Sequence, residues 1–322
     1  MLGGNKLESP MKNILFILVN IFFILAAPSA WSTNYYASTT GSAGNAGSLA
    51  SPWSLARALN ENNAYSGNSP QAGAGDTLWV RGGTYVMTSF LPYVHGSSSS
   101  PLIIRNYNNE RATIDVSADG GWMGYADYTW WWGLEFTEPT SPTSGLNSAI
   151  NTNGLYQRYI NCIVHDATGA GFADLSDAVG TQIIGCIVYY NGRRLAGNHD
   201  YGIYAQNVRP YQGSPVRKYY RDNIWWNNFG SYQLHLYSSG DSSSGDPTAG
   251  SVDSFTVSKN VIFSYSWFSG VINDWGSPTR RIAGFVCDSN YWWGSSAFSL
   301  LEQQNIAEGE LGHTGASTVA II

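Results

Sequence analysis

Residues that can donate or accept protons recur at regular intervals in the second half of the chain. Tyr204 and His235 are 31 residues apart, Lys218 lies between them, and His199 precedes Asp200. Side chains of these types can remove a proton from carbon and return one to a leaving oxygen. We predict that the catalytic candidates are His235, Lys218, Tyr204 and His199.

Basic, amide and aromatic side chains accompany these candidates. Arg217 and Arg221 flank Lys218, and a guanidinium group can bind a carboxylate through paired hydrogen bonds. An ordinary charged surface before a strand explains this basic cluster equally well. The predicted substrate-binding residues, which could bond to or stack on a sugar, are Arg217, Arg221, Gln206, Tyr237 and Asn273.

Three aspartates could gather a metal ion. Asp174, Asp177 and Asp200 offer carboxylate oxygens, and Ca²⁺ requires several oxygen ligands. The sequence contains no contiguous calcium-binding loop motif. A metal-free site is therefore the favoured interpretation, and Ca²⁺ is the candidate cofactor if these aspartates do bind a metal.

The dipeptide His165-Asp166 permits two interpretations. It could be a catalytic pair. However, His165 occupies the same repeat position as Tyr189, Trp226 and Phe263. Because a row of flat side chains at one position is typical of stacking between neighbouring strands, an aromatic column is the favoured interpretation.

Two overlaid repeats of short strands must position these residues. The first repeat joins β-branched or aromatic residues to Asn or Gly corners at 161–166, 185–190, 222–227 and 259–264. The second repeat has steps of 31 residues and covers 171–174, 202–205 and 233–236. Such repeats predict a coil of strands, whose turns must stack because one turn cannot bury its own apolar face.

The second repeat predicts one face that is open to solvent. If its apolar residues point into the coil, the alternate residues point outward. The outward column would contain Ala173, Tyr204, His235 and Asn273. Its repeat of about 4.8 Å is comparable to a sugar unit, and its aromatic rings could stack on sugar faces. A merely solvated sheet face is the alternative.

Three N-terminal stretches resemble a known superfamily. They are YYASTTGSAGNAGSLASPWSLARALN, GDTLWVRGGTY and PLIIRNYNNERATID, and they resemble the start of secreted pectate-lyase-like β-helix proteins. The resemblance covers roughly residues 35–295. It implies an all-β, single-stranded right-handed parallel β-helix, a solenoid whose open end is covered by a short capping helix near residues 54–60. It leaves the reaction open, because this superfamily includes lyases, hydrolases, epimerases and non-catalytic adhesins.

Composition limits the partners and the location of the protein. The net charge of −6 over 322 residues argues against a nucleic-acid partner. The apolar run at 14–26 and the small residues before Thr33 predict a cleaved signal peptide over 1–32, with 1–10 an upstream artefact. We expect a secreted protein, extracellular or periplasmic, with no membrane contact after cleavage; an uncleaved anchor is the alternative.

The rest of the chain is predicted to form one domain. We expect a monomeric β-helix over 33–299, and a tail at 300–322 that is a cap, a disordered end or a truncation. Cys162 and Cys186 occupy equivalent positions in neighbouring turns, which fits either a disulfide or, preferably, two stacked free thiols.

Together these observations predict a secreted carbohydrate-active protein. The first hypothesis is a polysaccharide lyase that acts by β-elimination on an acidic, uronate-containing glycan. A non-catalytic glycan-binding adhesin or scaffold is the second. A β-helix glycoside hydrolase is the third, and it would need two carboxyl groups on either side of the scissile bond.

Overall fold

A computed structural model gives the fold. The described residues are 32–118, 120–140, 148–193, 201–207, 215–229, 232–239, 252–264, 268–275, 284–294 and 320–321. The predicted signal peptide up to residue 31, the tail from 300 to 319, and the candidates His199 and Asp200 lie outside these residues.

The regular secondary structure of the described chain consists almost entirely of short strands. One helix, α1, spans Leu55–Ala58, and a single 3₁₀ turn spans Glu61–Asn63. In chain order the strands are β1 (Asn34–Ala37), β2 (Thr77–Val80), β3 (Gly83–Val86), β4 (Leu102–Asn106), β5 (Ala112–Asp115), β6 (Thr129–Trp132), β7 (Glu135–Thr137), β8 (Ile150–Asn151), β9 (Arg158–Ile160), β10 (Ile163–His165), β11 (Phe172–Asp174), β12 (Gln182–Ile184), β13 (Ile187–Tyr189), β14 (Ile203–Ala205), β15 (Lys218–Arg221), β16 (Ile224–Trp226), β17 (Tyr232–Ser239), β18 (Phe255–Ser258), β19 (Val261–Ser264), β20 (Phe268–Trp275), β21 (Val286–Asp288), β22 (Tyr291–Gly294) and β23 (Ala320–Ile321).

These strands form three parallel sheets that wrap around one core. The first sheet has the order β1-β2-β4-β6-β9-β12-β15-β18-β21, the second β23-β22-β19-β16-β13-β10-β7-β5-β3, and the third β20-β17-β14-β11-β8. From β6 to β20 each turn of the coil gives one strand to each sheet, whereas the turns of β2–β3 and β4–β5 have no strand in the third sheet. This architecture confirms the predicted parallel β-helix.

Both sequence repeats set the register between turns. In the second sheet, Val164 pairs with Val188, and Val188 pairs with Trp225. In the third sheet, Phe172 pairs with Ile203, which in turn pairs with Leu234. The predicted stacking of these segments is confirmed.

Tight corners join the first sheet to the second. Each corner opens with a residue of positive φ, such as Gly185 at 66° or Asp222 at 61°, a conformation that Gly, Asn and Asp adopt at least cost. The next side chain points into the coil. These inward corner residues are Cys162, Cys186, Asn223, Asn260 and Asn290, all of them buried.

The two corner cysteines are free thiols. Cys162 and Cys186 lie in adjacent turns and are fully buried, and the Cys162 backbone N–H donates to Cys186 Sγ at 3.4 Å. The favoured interpretation, stacked thiols without a disulfide, agrees with this geometry.

The predicted capping helix lies at the N-terminal end. Ser54 begins α1 by accepting a hydrogen bond from the Arg57 backbone N–H at 3.4 Å. Leu55 and Leu59 are buried in the common core, as is Trp53. Among the described residues, no helix is long and apolar enough to span a bilayer.

Candidate substrate-binding face

The outward face of the third sheet places two of the predicted catalytic residues side by side. Tyr204 on β14 pairs in register with His235 on β17, and their ring centroids are 5.3 Å apart. Their strand neighbours Ile203 and Leu234 belong to the apolar core, whereas Tyr204 does not. The predicted alternation of inward and outward residues is therefore correct at these positions. The prediction that this column is open to solvent is wrong, because Ala173, Tyr204 and His235 are all buried.

Three tyrosine rings surround the imidazole of His235. Besides Tyr204, the ring of Tyr201 lies edge-on at 4.6 Å and that of Tyr232 lies at 5.2 Å. Only 9% of Tyr204 and 7% of His235 are exposed. Gln206 is also part of this group, since its Nε2 donates to the Tyr204 hydroxyl at 3.2 Å. The result is a nearly buried tyrosine–histidine pair on the outward side of the third sheet.

The column continues differently from the prediction. His235 pairs with Val271 on β20, so Val271 rather than Asn273 follows it. Asn273 pairs with Tyr237, two positions further along both strands. The expectation that Asn273 extends the column is wrong, because the strands align two residues away from the assumed register.

Lys218 and Asp174 lie inside the coil, which contradicts their predicted places on the outer face. Both side chains are fully buried, and Lys218 Nζ lies 2.9 Å from Asp174 Oδ1. In β15, Lys218 alternates with Tyr219 and so shares the inward side with Tyr220. Burial lowers the pKa of Lys218, although the charge of Asp174 opposes this shift. The pair is an internal ion pair without access to a substrate.

The carboxylate of Asp174 is fully engaged within the core. Thr152 and Thr181 hydroxyls donate to Oδ1 at 2.5 and 2.9 Å, and the Tyr220 hydroxyl donates to Oδ2. Such a group cannot also serve as a ligand for Ca²⁺, so Asp174 does not fit the predicted metal site.

The other two predicted metal ligands do not make up a site in the described structure. Asp177 is exposed and accepts a hydrogen bond from Asn153 Nδ2 at 2.9 Å, and Asp200 is not among the described residues. Within the described ranges, no three His, Cys, Asp or Glu side chains are grouped closely enough to bind a metal ion.

The predicted arginines lie on a different side of the coil. Arg217 precedes β15 of the first sheet, and its Nη1 donates to the carbonyl oxygens of Phe255 and Gly284 at 3.1 and 2.7 Å. Arg221 ends the same strand and is exposed. The expectation that these residues serve the Tyr204–His235 face is wrong, because the long turn between β14 and β15 moves the chain onto another sheet.

On the second sheet, His165 takes part both in an aromatic column and in a cluster of charged side chains. Its ring stacks on Tyr189 at 5.0 Å with an angle of 8°, as the aromatic column predicts. Its two ring nitrogens also lie 2.7 Å from Glu135 Oε1 and from Asp166 Oδ2. Sequence reasoning missed Glu135, although it is a charged residue at a position where the following turns carry Ile163 and Ile187.

Glu135 is ionised near neutral pH in this cluster. Burial alone would raise its pKa, but hydrogen bonds from Arg111, Thr113 and His165 lower that pKa to about 2. Arg111 binds both carboxylate oxygens at 2.5 Å. Glu135 therefore has no proton to donate near neutral pH. Its hydrogen bonds to the turn before and the turn after it stabilise the stacking of successive turns.

The sequence of this chain matches one family model over more than half of its length. The family model described as Pel9A-like, right-handed β-helix region, matches residues 35–230. The chain belongs to this family. The match confirms the handedness of the coil and the superfamily suggested by the N-terminal stretches, and it makes this a β-helix protein of a carbohydrate-active family.

Two solved structures have similar folds. A pectate lyase, Pel9A, is 14% identical with a TM-score of 0.51, and the alignment covers 85% of this chain and 79% of that chain. A GH136 lacto-N-biosidase from Eubacterium ramulus is 13% identical with a TM-score of 0.53, covering 87% of this chain and 58% of the larger protein. At these identities the likeness shows the fold alone. A search of curated protein sequences gives no match.

Proposed function

We propose that this protein binds an acidic, uronate-containing polysaccharide along the third sheet and cleaves it by β-elimination. The observation that carries the proposal is the in-register pair of Tyr204 and His235, 5.3 Å apart between ring centroids on the outward face. In the proposed reaction the His235 imidazole accepts the proton from C5 of the uronate. The Tyr204 hydroxyl donates a proton to the glycosidic oxygen that leaves C4.

The surroundings of the pair suit this chemistry. Because both rings are nearly buried, electrostatic and hydrogen-bond interactions with a bound sugar would be stronger than in water. Tyr201 and Tyr232 offer apolar ring surface for sugar faces. The Gln206 amide, which already donates to the Tyr204 hydroxyl, can provide a second N–H to a uronate oxygen. Export from the cell is part of this proposal, since polymeric substrates of this kind do not cross membranes.

The reaction itself provides the test. Elimination creates an unsaturated uronate that absorbs at about 235 nm. This absorbance is followed with alginate, pectate and chondroitin as substrates. Each substrate is tested with added Ca²⁺ and with a chelator. We expect turnover on one substrate and a loss of at least about 100-fold in kcat for His235→Gln and for Tyr204→Phe. Tyr219→Phe, on the first sheet, is the matched control and should keep full activity. Turnover that survives His235→Gln, or no absorbance with any substrate, would exclude this mechanism.

A non-catalytic glycan-binding role is the second candidate. It is favoured by the absence of Lys and Arg from the five strands of the third sheet, where elimination needs the uronate charge to be neutralised. This role predicts saturable binding without new chain ends, with a larger loss for Tyr204→Ala than for His235→Ala. Release of reducing ends without absorbance at about 235 nm would instead indicate a hydrolase.

A further inference from the structure

A cleft on the first sheet lies outside the face proposed for catalysis. Its volume is about 330 Å³, at the small end of the range for ligand pockets. Its lining includes Ser97, Tyr128, Trp130, Tyr156, Arg158 and Gln182. None of these residues belongs to the Tyr204–His235 group.

Two outward columns form the long walls of this cleft. The rings of Tyr128 and Tyr156 stack at 5.1 Å with an angle of 15°, one turn above the other. Two residues further along each strand, the Arg158 guanidinium lies over the Trp130 ring, 4.5 Å from its centroid. The residues between the columns, such as Gln157, point into the coil. The cleft therefore has flat aromatic surface on one side and a cation on the other.

Both wall tyrosines have a backbone conformation that is rare for bulky residues. Tyr128 has φ of 51° and Tyr156 has φ of 52°, whereas the equivalent position in the next turn is Gly180 with φ of 66°. Glycine adopts this conformation without steric cost. Residues elsewhere in the coil, such as Lys259 and Ser289, have the same conformation, so it belongs to the turns of the coil. At these two turns the side chain is a tyrosine, whose ring adds flat surface to the cleft.

Among the described residues, the cation in the cleft has no anionic partner. Among the described residues Arg158 contacts Trp130 through its guanidinium, and none of the ion pairs includes it. Burial and the charge of Arg221 lower the pKa of Arg158. A bound carboxylate would supply the missing charge through paired hydrogen bonds.

We propose that this cleft binds a terminal uronate unit of an acidic glycan, with the carboxylate on Arg158 and the sugar ring against Tyr128 and Tyr156. The volume accommodates about one or two sugar units, which favours a chain end over the middle of a polymer. The site is an ancillary binding site, and it does not depend on the third sheet being catalytic.

The test measures binding of monomeric galacturonate and of neutral galactose by titration calorimetry and ligand-observed NMR. We expect saturable binding of galacturonate, weaker binding of galactose, and at least a tenfold loss of galacturonate affinity in Arg158→Gln. Arg105→Gln is the matched control, because Arg105 lies on the same sheet between the rings of Trp79 and Trp132, 4.9 and 4.4 Å from their centroids. This control should bind normally.

Two further variants make the result decisive. Tyr156→Gly copies the glycine of the next turn, whose backbone has the same positive φ, so it should lose binding while the protein still unfolds in one cooperative thermal transition. His235→Gln should keep galacturonate binding even if it abolishes turnover, which separates this site from the proposed active face. Equal affinity for galactose, unchanged binding in Arg158→Gln, or binding lost only in His235→Gln would overturn the proposal.

Discussion

Glu135 illustrates how a single buried charge can join three turns of a β-helix. Arg111, Thr113 and His165 all donate or lie in hydrogen-bond contact with its carboxylate. These contacts overcome the unfavourable effect of burial and lower the pKa of Glu135 from 4.5 to about 2. A carboxylate with a lowered pKa contributes stability above its unfolded pKa and loses it as the pH falls through the folded value.

The first prediction follows from that sign. Between pH 4.5 and about 2, the free energy of unfolding should fall by about 2 kcal/mol because of Glu135. The value is below that of a fully buried pair because the Arg111 side chain is 76% exposed. Glu135→Gln should be less stable near neutral pH and should lack this part of the acid dependence. Urea unfolding at a series of pH values measures the difference; parallel pH profiles for the two proteins would contradict it.

The second prediction distinguishes a structural Lys218 from a catalytic one. Lys218→Met leaves the Asp174 carboxylate buried without its cation, so we expect a loss of about 3–5 kcal/mol in stability. The double variant Lys218→Met with Asp174→Asn should recover most of this loss. Urea unfolding of the two variants, together with activity per folded molecule, makes the comparison. A stable Lys218→Met protein that lacks activity would show that Lys218 acts in catalysis.

The misplacement of Lys218 has a simple physical origin. Arg217 and Lys218 are adjacent charged residues and look like one surface cluster in the sequence. Alternation along a strand requires that neighbours point to opposite sides, but the side given to each depends on how the preceding turn enters the strand. For Tyr204, the apolar residues of β11 and β14 indicate which side of the strand faces the core, so the outward side could be predicted. In β15, which consists of a lysine, two tyrosines and an arginine, no such marker exists.

At the scale of elements, the corners between the first and second sheets are held by a ladder of buried amides. Asn260 Oδ1 accepts from the backbone N–H and from Nδ2 of Asn223, both at 3.0 Å. Its own Nδ2 donates to Asn290 Oδ1 at 2.8 Å and to the Tyr220 carbonyl at 2.9 Å. These side-chain amides thus provide hydrogen-bond partners for backbone groups at the tight corners, where the hydrogen bonds between strands are interrupted.

The third prediction concerns this ladder. Asn260→Ala leaves several buried donors and acceptors unpaired, so we expect a loss of about 2–4 kcal/mol. Cys162→Ala is the matched control at the same corner position three turns earlier in the coil. There a weakly bonding thiol is lost at a cost of about 1 kcal/mol. Urea unfolding compares the two variants. Equal losses would mean that packing volume, rather than the amide bonds, determines corner stability.

The repeats predicted the elements better than their connections. Val164, Val188 and Trp225 hold the same position in the recurring strand motif, so the alignment of the motif copies gives their register directly, although the spacing between copies changes. The connections into the third and first sheets vary in length from turn to turn, and a repeat cannot predict which side chains they bring together. Asn273 and Arg217 were misplaced for this reason. The contact of Glu135 with His165 was missed because a charged residue interrupts the aliphatic column there.

At the scale of the whole molecule, a solenoid is stabilised by contacts between neighbouring turns. Each strand pairs only with the strands of the turns before and after it, so a local defect should weaken its own turn most. The N-terminal end is closed by α1 and by Trp53. The Trp53 ring stacks on Tyr35 at 4.7 Å, lies beneath the Arg57 guanidinium at 4.6 Å, and donates from Nε1 to the Asn45 carbonyl at 2.8 Å.

The last prediction uses this one-dimensional arrangement. Trp53→Ala removes a fully buried ring, which should cost about 3–5 kcal/mol in the first turns. Hydrogen exchange should therefore show lost protection in β1 and β2 and a smaller loss in β4. Protection in β13 and β16 should not change, because these strands contact the N-terminal turns only through all the turns between them. Trp79→Ala is the control, since this tryptophan lies on the outside of β2 and is only partly buried. If protection fell equally in β1 and in β16, the coil would unfold as one cooperative body and the proposed independence of the distant turns would be wrong.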